Sequence, residues 1–293
     1  MLLAVLLLTV MDAVAKAVLE RGVPLAEMMV VRSALICGGL ALAVRVRGET
    51  HRLRIVDRRG QLVRALLGTA APLLFFAALA RLPLTAATVV GYAATFSTVL
   101  LSMLVLGERV GPRRWAGIVA GYAGVIVAVG PARDGPVSGY VLVLLASLAI
   151  SGFYVAGKRL AATESPLSLV NAYNAMLGLV CLAALPFVWR PLDAASFGLI
   201  VAFAALGVSG QWLVTRAYAS GDASLVAPLE YTSLVWVIAL DTLVWGAAPA
   251  GHTLAGAAII VAASLFVLHR ERAARERAAG EAVASGARGD PGA

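Results

Sequence analysis

The chain has 293 residues, of which 61% are hydrophobic and 14% charged, with a formal net charge of +8 and a mean hydropathy of +0.90. A soluble domain of this length cannot hide so much apolar surface in one core, so the composition indicates a membrane protein. The positive charge does not point to nucleic acid, because the arginines sit in short connections and in the tail rather than along one exposed helix face.

A spanning helix needs roughly 17–25 mainly apolar residues, and ten stretches are candidates. The first, Leu2–Val18, carries Asp12, and the second, Ala26–Val44, carries Arg32 and Cys37. A basic loop leads to the third, Leu62–Ala80, and Arg81 separates it from the fourth, Ala86–Leu106, which contains Tyr92. The fifth, Trp115–Val129, is short, and its Gly117, Gly121 and Gly124 suit close helix packing. The sixth is Gly139–Lys158; the seventh, Ser168–Val188, holds Asn174 and Cys181; the eighth is Ser196–Thr215. The ninth, Leu225–Trp245, contains Pro228 and after it Glu230, Tyr231, Trp236 and Asp241, and the tenth is Thr253–His269. The basic tail from Arg270 is rich in Arg, Glu and Ala and then in Gly, and is expected to extend the last helix for a turn or two before becoming disordered.

The chain also repeats itself. Displaced by 139 positions, Ala78, Ala80, Tyr92, Leu101, Leu104, Val105, Gly107, Ala116, Gly117 and Ala123 fall on Ala217, Ala219, Tyr231, Leu240, Leu243, Val244, Gly246, Ala255, Gly256 and Ala262 without a gap. Displaced by 142, Lys16, Pro24 and Leu25 fall on Lys158, Pro166 and Leu167. Alanine and leucine coincide cheaply in apolar helices; Tyr, Lys, Pro and Gly do not. Ten spans divide into five and five, and an odd number per repeat sends the second half into the membrane the opposite way round. The expected fold is therefore an all-α membrane protein of ten transmembrane helices in two inverted five-helix repeats, residues 1–130 and 137–269, with the tail 270–293 outside them. Folds of this kind work by alternating access. The first span has a counterpart in the sixth, which argues against a cleaved signal peptide.

Charge placement orients the chain. With the N-terminus inside, the connections and tail on the inner face hold 18 of the Lys and Arg residues and the outer face holds five, with Arg32 inside a span. This bias places both termini in the cytoplasm.

A charge in hydrocarbon costs on the order of 2.5 kcal/mol or more, so each intramembrane charge needs a partner or a watered path. Asp12, Arg32 and Asp241 fall on the outer side of the midplane and Glu230 on the inner side, near the depth of Asn174. Glu230 and Asp241 are eleven residues apart, and at ~100° per residue one continuous helix would aim both the same way. One reading is a polar pathway between the halves, lined by these residues with Tyr92, Tyr231 and Trp236; the other is a set of structural ion pairs, Arg32 with Asp12 or with Asp241. Pro228 favours a pathway role for Glu230, because a helix break is tolerated where it borders a cavity. Trp115, Trp189 and Trp245 lie near span ends and read as interfacial anchors. Glu108, beside Arg109, Arg113 and Arg114, reads as an interface anchor or surface pair. The two cysteines have no disulfide or zinc spacing, the three histidines are scattered, and no phosphate-cradling loop is present, so no catalytic set, metal site or cofactor is expected.

Gly107-Glu108-Arg109 closing the fourth span, Trp115 and Gly117 opening the fifth, and Pro228-Leu-Glu230-Tyr231-Thr232 through Trp236, Trp245-Gly246, Pro249 and Gly256 in the second half form a pattern. Over roughly residues 1–269 it resembles the EamA-type branch of the drug/metabolite transporter superfamily, and among its bacterial members those grouped with riboflavin and S-adenosylmethionine permeases. The resemblance implies a secondary transporter of a small organic metabolite in the bacterial inner membrane, and no enzyme. Two positions depart from the pattern: Ala247 stands where an acidic residue is frequent, and Asp241 where a small one is. The competing classes are an intramembrane enzyme acting on lipid or prenyl substrates, which would display clustered Asp or His at the membrane surface, and a non-transporting scaffold, which would not explain the repeat. The partners expected are a small-molecule substrate and the lipid bilayer, with no nucleic acid; a homodimer stands open.

Overall fold

The computed structural model describes residues 1–107, 111–130, 136–220 and 227–287, and among them every regular element is helical. The helices are α1 (Leu2–Glu20), α2 (Leu25–Val46), α3 (Arg58–Leu79), α4 (Leu84–Gly91), α5 (Ala93–Leu106), α6 (Pro112–Val129), α7 (Val137–Leu160), α8 (Pro166–Val188), α9 (Ala194–Ser220), α10 (Ser233–Trp245) and α11 (Gly251–Ala287). Eight stretches among the described residues are long and apolar enough to cross a membrane: α1, α2, α3, α4 with α5, α7, α8, and the Ala194–Val214 and Gly251–His269 parts of α9 and α11. The expected fifth span is a shorter apolar helix, Trp115–Val129 within α6. Large apolar side chains face outward, with Phe187, Leu243 and Val46 at 88%, 82% and 78% exposure. In water such a surface would aggregate; against lipid it is the ordinary wall of a multi-pass protein.

Two expected spans differ from single helices. The fourth starts two residues early, at Leu84, and is interrupted at Tyr92, whose N–H is shared between Thr88 C=O at 3.2 Å and Val89 C=O at 3.3 Å, while Thr95 N–H bonds to Tyr92 C=O at 3.0 Å. These three-residue steps tighten the chain locally. The interruption is supported from α7: the Ser147 hydroxyl donates to Gly91 C=O at 3.3 Å and the Ser151 hydroxyl to Ala94 C=O at 2.9 Å. The ninth span is not helical from Leu225 to Trp245. A 3-10 turn, Ala227–Thr232, precedes α10, which is 13 residues long. Pro228 lies in that turn and cannot donate an amide hydrogen bond. Glu230 and Asp241 therefore do not lie on one helix, and the shared-face expectation fails.

The two broken spans end alike. Gly107 closes α5 with φ 69° and Gly246 closes α10 with φ 63°, both left-handed, and the two positions are 139 apart. Glycine adopts this conformation without the clash a Cβ would add. The last helix runs on to Ala287, carried by Ala, Arg and Glu, which are strong helix formers, rather than for the expected turn or two.

Packing follows a regular pattern: α1 lies on α9, α2 on α8, α3 on α7 and α6 on α11. The core gathers Met28, Phe76, Leu84, Leu177, Phe203 and Ile260. The α6 glycines make their close approaches as expected: a Cβ added at Gly121 would stand 2.2 Å from the Phe96 ring, and one at Gly124 would stand 2.8 Å from Ile260 of α11.

Candidate functional site

Three polar groupings stand out, one at each end of the helices and one between them. The breaks at Tyr92 and before Ser233 meet. The Tyr92 hydroxyl hydrogen-bonds the Ser233 hydroxyl, and the Tyr92 and Tyr231 rings lie edge to face with centroids 5.3 Å apart. Edge-to-face contact sets the positive rim of one ring against the negative face of the other. Glu230, exposed in the 3-10 turn, is close enough for its charge to act on Tyr92, Tyr154 and Tyr231. Tyr154 of α7 is 58% exposed and Glu230 is exposed, so the grouping leaves aromatic surface and a carboxylate uncovered. Trp236, one turn into α10, has its indole Nε1 buried without a partner.

At the end where α1 finishes and α4 begins, Asp241 is fully buried. Its Oδ1 accepts the Leu84 amide at 3.1 Å and its Oδ2 the Thr85 amide at 2.6 Å, so the carboxylate caps α4 from a distant part of the chain. Lys16 Nζ lies 3.4 Å from Oδ1 and 4.2 Å from the centre of the Trp245 ring. The Trp245 indole N–H in turn donates to Glu20 Oε2 at 2.6 Å.

At the opposite end, Glu164 lies between α7 and α8, 6% exposed. Its Oε1 accepts the amides of Val56 and Asp57, both at 2.8 Å, and its Oε2 accepts the Ser168 hydroxyl at 2.7 Å. Gln61 Nε2 donates to Ser168 Oγ at 3.1 Å, and Arg64 donates to Leu169 C=O at 2.8 Å. Burial works against the charge of Glu164, but the bonds from Ser168, Asp57, Val56 and Gln61 outweigh it and hold the carboxyl below its ordinary value.

The structure brings Tyr92 and Tyr231 into contact, which the sequence did not announce, and places Glu230 beside them. It corrects the pairing of the buried charges. Asp241 pairs with Lys16 and not with Arg32. Arg32 stacks its guanidinium 5.6 Å above the Phe203 ring, with its Nε unpartnered, and Asp12 is half-buried on α1; the two form no ion pair among the described residues. Asn174 is buried, its Nδ2 donating to Val170 C=O at 2.9 Å and its Oδ1 unpartnered. Trp245 is drawn into the Lys16 cluster rather than serving as a plain interfacial anchor. Glu108 lies outside the described residues. Sequence reasoning passed over Lys16 as a site residue because it sits near a span end, and Glu164 because it sits in a connection.

A model described as the EamA-like transporter family matches residues 1–130 and again residues 137–269. The riboflavin transporter of Rhizobium johnstonii is 33% identical over 218 residues, 72% of this chain and 69% of that protein. The pseudopaline exporter CntI of Pseudomonas aeruginosa is 30% identical over 267 residues, 88% of this chain and 90% of that protein. The S-adenosylmethionine uptake transporter of Rickettsia prowazekii is 28% identical over 193 residues, 65% of each. One solved structure, 22% identical, superposes with a TM-score of 0.59 over 93% of this chain and 96% of its own, which is a shared fold. The two family matches together cover most of the chain: it belongs to the EamA-like transporter family.

Proposed function

We propose that this transporter carries a small organic metabolite across the bacterial inner membrane by alternating access, with two inverted five-helix repeats as its moving parts and both termini cytoplasmic. Its family makes it a permease rather than an enzyme. The observation that carries the mechanism is the contact of Tyr92 with Tyr231, residues 139 apart, at the two points where the spans break. Substrate sites of inverted-repeat carriers lie where discontinuous helices of the two halves meet. The packing supports the same reading. Exchanging the first five spans with the last five turns the α1–α9 contact into α7–α3 and leaves α2–α8 and α6–α11 unchanged, and all four contacts are present.

The central grouping suits a substrate with a planar or cationic part, which the tyrosine faces and the Glu230 carboxylate would receive. The relatives are named for the transport of riboflavin, pseudopaline and S-adenosylmethionine. Glu230 is also our candidate for the carboxylate that carries a coupling proton. Uptake of radiolabelled metabolites by proteoliposomes, with and without a pH gradient, tests both roles. Glu230→Gln keeps the shape of the side chain and removes its titration. Transport should fall roughly tenfold or more, the effect of losing about 1.4 kcal/mol of transition-state stabilisation, and the pH profile should flatten while the protein stays folded. Parental rates with a parental pH profile would make Glu230 structural.

A further inference from the structure

The Lys16 cluster has the parts of a binding site with its occupant built in. An ammonium group lies between a carboxylate and the face of an indole, the pair of surfaces that recognises organic cations. The carboxylate is held firmly without it: Asp241 takes the amides of Leu84 and Thr85, at 3.1 and 2.6 Å. The indole is held as well, through its bond to Glu20. Lys16 is the loosely held member. Its distance of 3.4 Å to Asp241 is well beyond the about 2.7–2.9 Å of a close charge-assisted bond, and it is the one hydrogen bond the ammonium makes among the described residues.

Beside the cluster lies a cavity of about 220 Å³, lined by Asp241, Thr85, Pro83, Ala247 and Pro249. The Thr85 hydroxyl, on a residue 1% exposed, is buried there without a hydrogen-bond partner. A buried hydroxyl left unmatched beside a cavity is available to a polar ligand.

We propose that the Asp241 carboxylate and the Trp245 face form a cage for an organic ammonium group, in which Lys16 is a tethered and displaceable occupant. An arriving amine takes the place of Lys16 against Asp241 and Trp245, its remaining bulk enters the cavity, and Thr85 supplies a further hydrogen bond. The cage is made of residues other than those of the central site, and its test reads binding, so it stands or falls apart from the transport reading.

Lys16→Ala empties the cage. n-Propylammonium chloride supplies the missing part of the side chain as a free cation, and n-propanol supplies a similar shape without charge. In detergent the variant should melt below the parent; propylammonium should recover most of the lost Tm, and propanol should not. Adding Trp245→Leu should remove most of the recovery. Displacement is read in the parent protein, which has two lysines, Lys16 and Lys158. Tetramethylammonium chloride, compared with sodium chloride at equal ionic strength, should raise acetylation of Lys16 severalfold relative to Lys158, as read by mass spectrometry. Recovery by propanol as good as by propylammonium overturns the proposal, as does Lys16 labelling indifferent to tetramethylammonium. Where Lys16→Ala yields no folded protein, the labelling decides alone.

Discussion

Asp241 and Glu164 perform the same task at opposite ends of the molecule and are stabilised in different ways. Each accepts two successive backbone amides where a helix begins, Leu84 and Thr85 for Asp241 and Val56 and Asp57 for Glu164. Asp241 is fully buried and has a lysine against it. Glu164, in a connection between helices, takes neutral donors, the two amides and the Ser168 hydroxyl. The difference follows from the surroundings. Within the spans a carboxylate has no water to share its charge, so a counter-charge must be supplied. At the edge of the membrane-spanning region, neutral hydrogen bonds suffice to keep a carboxylate ionised.

This contrast predicts unequal damage. Asp241→Ala should be the most harmful of these changes, about 3–5 kcal/mol, because it strands a buried ammonium as well as two amides. The loss should appear as a fall in Tm and in monodisperse yield in detergent. A loss below about 1 kcal/mol would mean that Asp241 does not anchor α4.

Glu164→Gln should cost less, about 1–3 kcal/mol, since the amide can still accept from the backbone but presents an NH2 where Ser168 now donates. The pH dependence separates it from Asp241→Ala. The folded protein holds the Glu164 carboxyl below its ordinary value of 4.5, so its stabilisation is present above that value and is lost as pH falls through the lower, native one. The gap in Tm between parent and Glu164→Gln should be widest near neutrality and close progressively below about pH 4.5. A gap that stays constant into that acid range would remove Glu164 as the titrating group.

The smallest effects compare one hydroxyl from each end. Ser168 Oγ donates to Glu164 and accepts from Gln61, so Ser168→Ala should cost about 1 kcal/mol. Thr85 Oγ1 has no partner, so Thr85→Val, nearly the same shape, should be neutral or stabilise by up to about 1 kcal/mol. Denaturation of both variants in the same detergent checks the signs, and a marked loss in Thr85→Val would show that the hydroxyl is satisfied in solution.

Much of this architecture is legible in the sequence, because hydropathy marks membrane-length helices directly; the recurrence of Tyr92 at Tyr231 marks two notable residues, but that they meet is visible only in the structure. The break before Ser233 was half visible through Pro228; the break at Tyr92 carries no proline and is sustained by Ser147 and Ser151 from another helix, which no local pattern announces. Charge pairing was not legible. Depth along a helix follows from counting residues, and it set Arg32 level with Asp241, but which way each side chain turns around its helix depends on packing. Packing sends Arg32 to Phe203 and Lys16 to Asp241. Glu164 was passed over because a charged residue in a connection costs little and so draws no notice, although Ser165-Pro166 after it is a recognisable helix start, with Ser165 capping α8.

The bond from Asp241 to the start of α4 also bears on how the protein is made. The Leu84 amide waits for a carboxylate 157 residues further along the chain. At roughly 5–20 residues per second of synthesis, that interval is on the order of ten to thirty seconds. Until it ends, the ribosome has delivered a first half whose eight-residue α4 lacks this anchor and whose Lys16 lacks its counter-charge. Maturation of the first half is thus completed by the second, and the two cannot be finished one after the other.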